Sequence, residues 1–226
     1  MLKRTLSKAV LIALSLLPVS SQADYYARAA IGNNKFYNVK NFQDSKQRAN
    51  ISPNYTIGLG VGKRIDDVLN VELLIDHTKV NFQPNFNYNR MYSRHFNLES
   101  VTINTITLNG IMDVYKPTEN TSLFVGTGLG VAQLNERVRW KYLYPERYGS
   151  HSVKRHIGHL SRKTVYNLTY NFTTGLAYKA NDQVTFDVAY KYSVFGRTKD
   201  EQMGVTKING KYYRGHNINV GLRYSI

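Results

Sequence analysis

Seven charged residues stand where a two-residue period would turn them into an enclosed space: Arg28, Glu72, Asp76, Asp113, Asp187, Lys191 and Arg223. An ion away from water is costly unless it is paired, so bases and acids at similar depth in a narrow interior should form salt-bridge networks. Such a set can be a plug that fills the interior, or the lining of a gated pore for small solutes. Both readings use the same side chains.

Other residues invite more reactive chemistry and support it less. His151, His156 and His159 fall within nine positions, but spacings of five and three without any Cys form no recognised zinc set. They would gain charge as pH falls toward a histidine reference value of about 6.5. A lipid A deacylase on a barrel wall needs a histidine–serine pair on one strand near the rim. His151 and Ser152 are chain neighbours in a loop, and His77, inside a predicted strand, has no serine at spacing two. No catalytic, cofactor-binding or metal residue is therefore assigned. The chain is not expected to be an enzyme or to carry a cofactor.

These residues need elements to position them. Residues 1–23 read as a secretory signal peptide: Lys3, Arg4 and Lys8, an apolar run from Ala9 to Leu17, and Ser21-Gln22-Ala23 as a small-x-small cleavage site. Residues 24–226 follow as one expected domain. With 0 Cys in an exported chain no disulfide framework is available, so stability must come from pairing and burial. The formal net charge is +15, with three of those charges in the leader. A basic surface implies anionic partners, and export excludes nucleic acid as the physiological one.

Alternation of apolar and small or polar residues predicts eight strands. They are Tyr25–Gly32, Asn54–Lys63, Asn70–Val80, Glu99–Val114, Ser122–Leu134, Thr164–Lys179, Gln183–Phe195 and His216–Ile226. The second and fifth carry glycine rows, Gly58, Gly60, Gly62 and Gly126, Gly128, Gly130, which suit the crowded lumen of a small barrel. In the fourth, apolar parity changes near Asn104: Val101 and Ile103 fall on one side, Ile106, Leu108, Met112 and Val114 on the other. A bulge or an extension beyond the bilayer would account for it. Connections alternate between short turns (Arg64–Leu69, Tyr115–Asn120, Ala180–Asp182) and long loops (Asn33–Pro53, Asn81–Leu98, Asn135–Lys163, Gly196–Tyr212). Periplasmic turns and extracellular loops of an outer-membrane barrel have this rhythm. The fold class expected is all-β, an eight-stranded antiparallel transmembrane up-and-down β-barrel. A secreted lipocalin-like barrel is the rival, and the polar, glycine-rich inner face speaks against its apolar cavity.

Phe124-Val125-Gly126-Thr127-Gly128-Leu129-Gly130-Val131 resembles a strand of opacity-type outer-membrane surface antigens. Thr174-Gly175-Leu176-Ala177-Tyr178 and Val188-Ala189-Tyr190-Lys191-Tyr192-Ser193 are similar to that family's sixth and seventh strands. The layout is also that of the eight-stranded Gram-negative barrels and small barrel adhesins of intracellular proteobacteria. The chain ends in Ile226 where that family usually ends in Phe. The resemblance implies an outer-membrane location and a role as a surface adhesin. The alternative is a structural or narrow porin-like barrel without a dedicated host partner.

The long loops hold most of the positive charge; Asn135–Lys163 alone has eight Lys or Arg against two Glu. Aromatics interleave the bases, and Tyr, Trp and Arg are enriched in interface hot spots. The candidate loop-binding residues are Arg90, Arg94, Arg137, Arg139, Trp140, Lys141, Arg147, Lys154 and Arg155. The expected partners are outer-membrane lipids including lipopolysaccharide, the barrel assembly machinery through the C-terminal strand, and host surface proteins or acidic glycans. Loop charge leaves lipid neutralisation and partner binding equally open.

Overall fold

The computed structural model describes residues 25–36, 50–51, 54–83, 95–145, 153–159, 163–198, 201–203, 206–208 and 212–226. The expected leader, Arg90, Arg94, Arg147 and His151 lie outside them. The strands are β1 (Tyr25–Phe36), β2 (Asn50–Ile51), β3 (Asn54–Arg64), β4 (Leu69–Gln83), β5 (His95–Thr118), β6 (Thr121–Pro145), β7 (Val153–His159), β8 (Lys163–Lys179), β9 (Val184–Arg197), β10 (Glu201–Met203), β11 (Thr206–Ile208) and β12 (Tyr212–Ser225).

Eight of these are staves. Each pairs antiparallel with its neighbours in the order β1, β3, β4, β5, β6, β8, β9, β12, and β12 returns to β1. The closing ladder runs from Tyr26 opposite Ser225 to Phe36 opposite Gly215. Closure removes the free edges that an open sheet would present. It also leaves an outer surface of large apolar side chains: Leu168 is 74% exposed and Leu129 62%. A continuous band of this kind is unsuited to water and is what a lipid bilayer solvates.

Local chemistry closes the short turns. The Asp66 carboxylate accepts the backbone N–H of Val68 at 2.8 Å and of Leu69 at 2.6 Å. The Asn181 side-chain oxygen does the same for Gln183 and Val184. An Asx side chain replaces the missing ladder partner and reverses the chain in few residues.

The structure corrects several sequence expectations. No bulge lies near Asn104, because the β4–β5 and β5–β6 registers run unbroken from Ser100 to Met112. Val101 and Ile103 instead point into the barrel, where they are 0% and 1% exposed. They join Phe36, Val80, Ala132, Leu134, Phe195 and Tyr213 in an apolar cluster on the loop side of the lumen. The inner face is therefore not polar throughout, which is why simple outward parity failed there.

The long connections also contain more strand than expected. The β5–β6 hairpin continues up to His95 opposite Lys141, β7 pairs with Arg139–Pro145 of β6, and β10 and β11 form a small hairpin. In β6 the bases Arg139 and Lys141 interleave with Trp140 and Tyr142, so charge hid the period there. One irregularity lies in the β9–β12 ladder, where Tyr213 faces Gly196 and Arg214 faces Val194. Phe195 is left over, and Gly196 takes φ +88°, a conformation that glycine adopts at no steric cost.

Candidate functional site

The seven charged positions separate into three groups inside the barrel. Arg28 and Arg223 are direct cross-strand partners on β1 and β12, a destabilising placement for like charges. Two acids compensate, Glu72 on β4 and Asp187 on β9. Arg28 donates through Nη1 to Glu72 at 2.8 Å and through Nη2 to Asp187 at 2.6 Å. The Arg223 Nε lies 3.4 Å from Asp187 and 3.6 Å from Glu72. Two bases and two acids thus neutralise one another.

Glycine makes these reaches possible. Glu72 must reach past β3 to meet the arginines, and Asp187 must reach past β12 to meet Arg28. At Gly221 an added Cβ would sit 2.6 Å from an Asp187 carboxylate oxygen, and at Gly62 it would enter the Tyr26 ring. Tyr26 itself was absent from the sequence-derived set, although its even parity placed it inward. Its hydroxyl donates to Glu72 at 2.7 Å, and its ring lies under the Arg223 guanidinium, as does that of Phe124.

Lys191 and Asp76 form a second pair at 2.6 Å, further toward the loops. Asp113 stands apart near the turns, with Oδ1 buried and without a hydrogen-bond partner among the described residues. Between the charge cluster and the loop-side apolar cluster lies a cavity of about 40 Å³. Asn109, Asn171, Asn217 and Asn219 line it, and three of these asparagines carry an unpartnered buried atom. That volume suits a water molecule or two bridging amides, far short of a channel. On the turn side Ile111, Phe124, Ala177 and Ala189 form a second apolar cluster.

Glu136, which sequence analysis counts as a loop charge, faces inward at 6% exposure and accepts the Tyr213 hydroxyl at 2.5 Å. It helps close the loop-side mouth. Beyond that mouth β5, β6 and β7 continue as a three-stranded extension. Arg137 is exposed, while Arg139, Trp140 and Lys141 occupy β6 positions, and Lys154 and Arg155 pair with Tyr144 and Leu143. His156 and His159 lie three positions apart on β7. His77 lies on the outer wall, where its Nδ1 and the Asn104 side-chain oxygen are 2.7 Å apart, with no hydroxyl nucleophile in that contact. Among the described residues no group of three His, Cys, Asp or Glu could hold a metal ion.

Residues 9–225 match the outer membrane protein beta-barrel domain. The chain belongs to that family. It is an outer-membrane barrel protein. A candidate adhesin of Rickettsia bellii is 28% identical over 129 residues, covering 55% of this chain and 53% of that protein. A candidate adhesin of Rickettsia typhi is 27% identical over 128 residues, with 55% and 52% covered. The chain thus spans about half the length of the curated relatives it matches. Among solved structures the neisserial surface protein A superposes with a TM-score of 0.51 at 18% identity, covering 89% of this chain and 97% of that one. At that identity the likeness concerns the fold.

Proposed function

We propose that this barrel is a surface adhesin whose loop-side extension engages host-cell components. The β5–β6–β7 sheet carries the reading, because it holds Arg139, Trp140, Lys141, Lys154 and Arg155 on paired strands beyond the barrel wall. A paired backbone costs less to order on binding than a free loop, so the same side chains bind with a smaller entropic penalty. The names of the rickettsial relatives support the same role. Arg90, Arg94 and Arg147 complete the candidate surface by their loop positions in the sequence. The ligand chemistry is an acidic glycan or an acidic patch on a host protein.

The other expected features belong to the same proposal. Residues 1–23 act as a cleaved leader, the loops face the medium, lipopolysaccharide surrounds the rim, and β12 is the strand read by the assembly machinery. Chemistry on a substrate is not part of the role. The interior serves stability, and its two apolar clusters and ion pairs support a plug over a pore.

The test is adhesion of bacteria displaying the protein to host cells with and without their acidic glycans. Replacing Arg139, Lys141, Lys154 and Arg155 by serine should reduce adhesion, as should glycan removal. Adhesion equal to that of bacteria lacking the protein would overturn the proposal.

A further inference from the structure

The turn-side mouth of the lumen opens into a second cavity, of about 220 Å³ against about 40 Å³ for the amide-lined one. Arg28 and Glu72 line the amide cavity, whereas Tyr26 and Arg223 line this one. The ion cluster that joins those four residues to Asp187 is therefore the partition, and the mouth is a blind cup. Ser122, Thr185 and Ser225 supply hydroxyls to its wall. The three short turns at its rim all lie within the described residues.

Two opposite charges face this cup with hydrogen-bonding capacity unspent. Arg223 is 8% exposed, and its Nε stands 3.4 and 3.6 Å from the acids it pairs with. Neither Nε nor Nη2 has a hydrogen-bond partner among the described residues. The Tyr26 and Phe124 rings, 5.8 and 5.2 Å from Cζ at their centroids, hold the guanidinium in place. Asp113 is the cross-strand partner of Phe124, and its Oδ1 is buried and equally unpartnered. Its backbone N–H donates to the Val68 carbonyl at 2.8 Å, which ties this part of β5 to the first turn. A donor and an acceptor, each fixed and each unmet, thus adjoin one ring and line one cavity. Polar groups buried without partners cost free energy, and groups already held in place spend little entropy on a ligand.

The signs select that ligand. The partition is neutral, with two bases and two acids, so Asp113 leaves the inner end of the cup acidic by one charge. A bare anion such as phosphate is disfavoured there. A bare amine would meet Asp113 and leave Arg223 as it is. A molecule carrying both a carboxylate and an ammonium meets both groups through charge-assisted hydrogen bonds, the stronger kind.

We propose that the turn-side cup binds a small zwitterion, an α-amino acid or a short peptide with both ends free, its carboxylate on Arg223 and its ammonium on Asp113. The short turns of an outer-membrane barrel face the periplasm, so the ligand is a periplasmic solute. This inference stands whether or not the loops at the other end are adhesive.

The probes are L-alanine and L-alanyl-L-alanine, added to the isotope-labelled full-length protein in lipid nanodiscs. The measurement is the amide NMR shift of Asp113, Phe124 and Ser122. At least one zwitterion should give saturable shifts there, and the tighter of the two reports the spacing the cup accepts. N-acetyl-L-alanine lacks the ammonium and L-alaninamide lacks the carboxylate. Each should need at least about tenfold more ligand for half-saturation than alanine does, the usual consequence of losing one hydrogen bond to a charged group. Asp113→Asn should bring alanine down to the level of its N-acetyl form, whereas Asp66→Asn, at an exposed turn outside the cup, should leave the preference intact. Heat-modified gel mobility verifies that both variants are folded. Absence of saturable shifts with either zwitterion overturns the proposal, as does equal binding of the blocked forms; neither result requires a variant. A preference that survives Asp113→Asn, or is lost equally with Asp66→Asn, overturns it too.

Discussion

Replacing Glu72 by glutamine changes almost nothing but charge, and the lumen should register that loss strongly. In the native network Glu72 accepts from Arg28 at 2.8 Å and from Tyr26 at 2.7 Å, at 1% exposure, and lies 3.6 Å from the Arg223 Nε. After the substitution only Asp187 faces two guanidinium groups that the register holds opposite each other. One buried positive charge is left uncompensated, which typically costs about 3–5 kcal/mol. Urea unfolding in lipid vesicles, followed by heat-modified gel mobility, reads that difference. The decisive comparison is the double variant Arg28→Met with Glu72→Gln. It leaves Arg223 and Asp187 as a neutral pair, so its destabilisation should fall short of the sum of the single effects by about 2 kcal/mol or more. A Glu72→Gln protein within about 1 kcal/mol of the unaltered one, or an additive double variant, would refute the reasoning.

Three further outcomes follow from the same geometry. Gly62→Leu drives a side chain into the Tyr26 ring and should destabilise the barrel by about 1–3 kcal/mol in the same titration. Gly196→Val puts a β-branched residue at φ +88° and should cost at least about 1–2 kcal/mol, visible as a lower urea midpoint. The third concerns pH. The N–H groups of Leu69 and Val68 hold the Asp66 carboxyl below its ordinary value. A depressed folded value means that this contribution is present above the ordinary carboxylate range and is lost as pH falls through the depressed one. Protection of the Val68 and Leu69 amides, taken relative to their intrinsic exchange at each pH, should therefore persist through mildly acidic pH and fall only below it. Loss of that protection already at neutral pH would contradict the turn chemistry.

The fold was readable because its wall is built from a local rule. A strand sends neighbours to opposite faces, so the alternation around Leu129 or Val220 states which side meets lipid without knowledge of any partner. Turn chemistry is equally local, as Asp66 and Asn181 show. The rule failed at Val101 and Ile103. There an apolar residue meets other apolar residues across the lumen instead of lipid, and sequence cannot distinguish the two kinds of nonpolar surroundings. It was also blind above the wall, where Arg139 and Lys141 interleave with Trp140 and Tyr142 and the charge reads as loop.

Sequence by itself determined that Arg28, Glu72, Asp187 and Arg223 share the inner side, since direction depends only on counting by two. Which of them touch was decided by closure. Arg28 reaches Asp187 across 159 positions because β12 returns to β1 and fixes the register of every stave between. The pairing of Asp76 with Lys191, the isolation of Asp113 and the inward turn of Glu136 depend on the same ring of registers. A pleat is a property of two neighbouring peptides; a contact across the lumen is a property of the whole circumference.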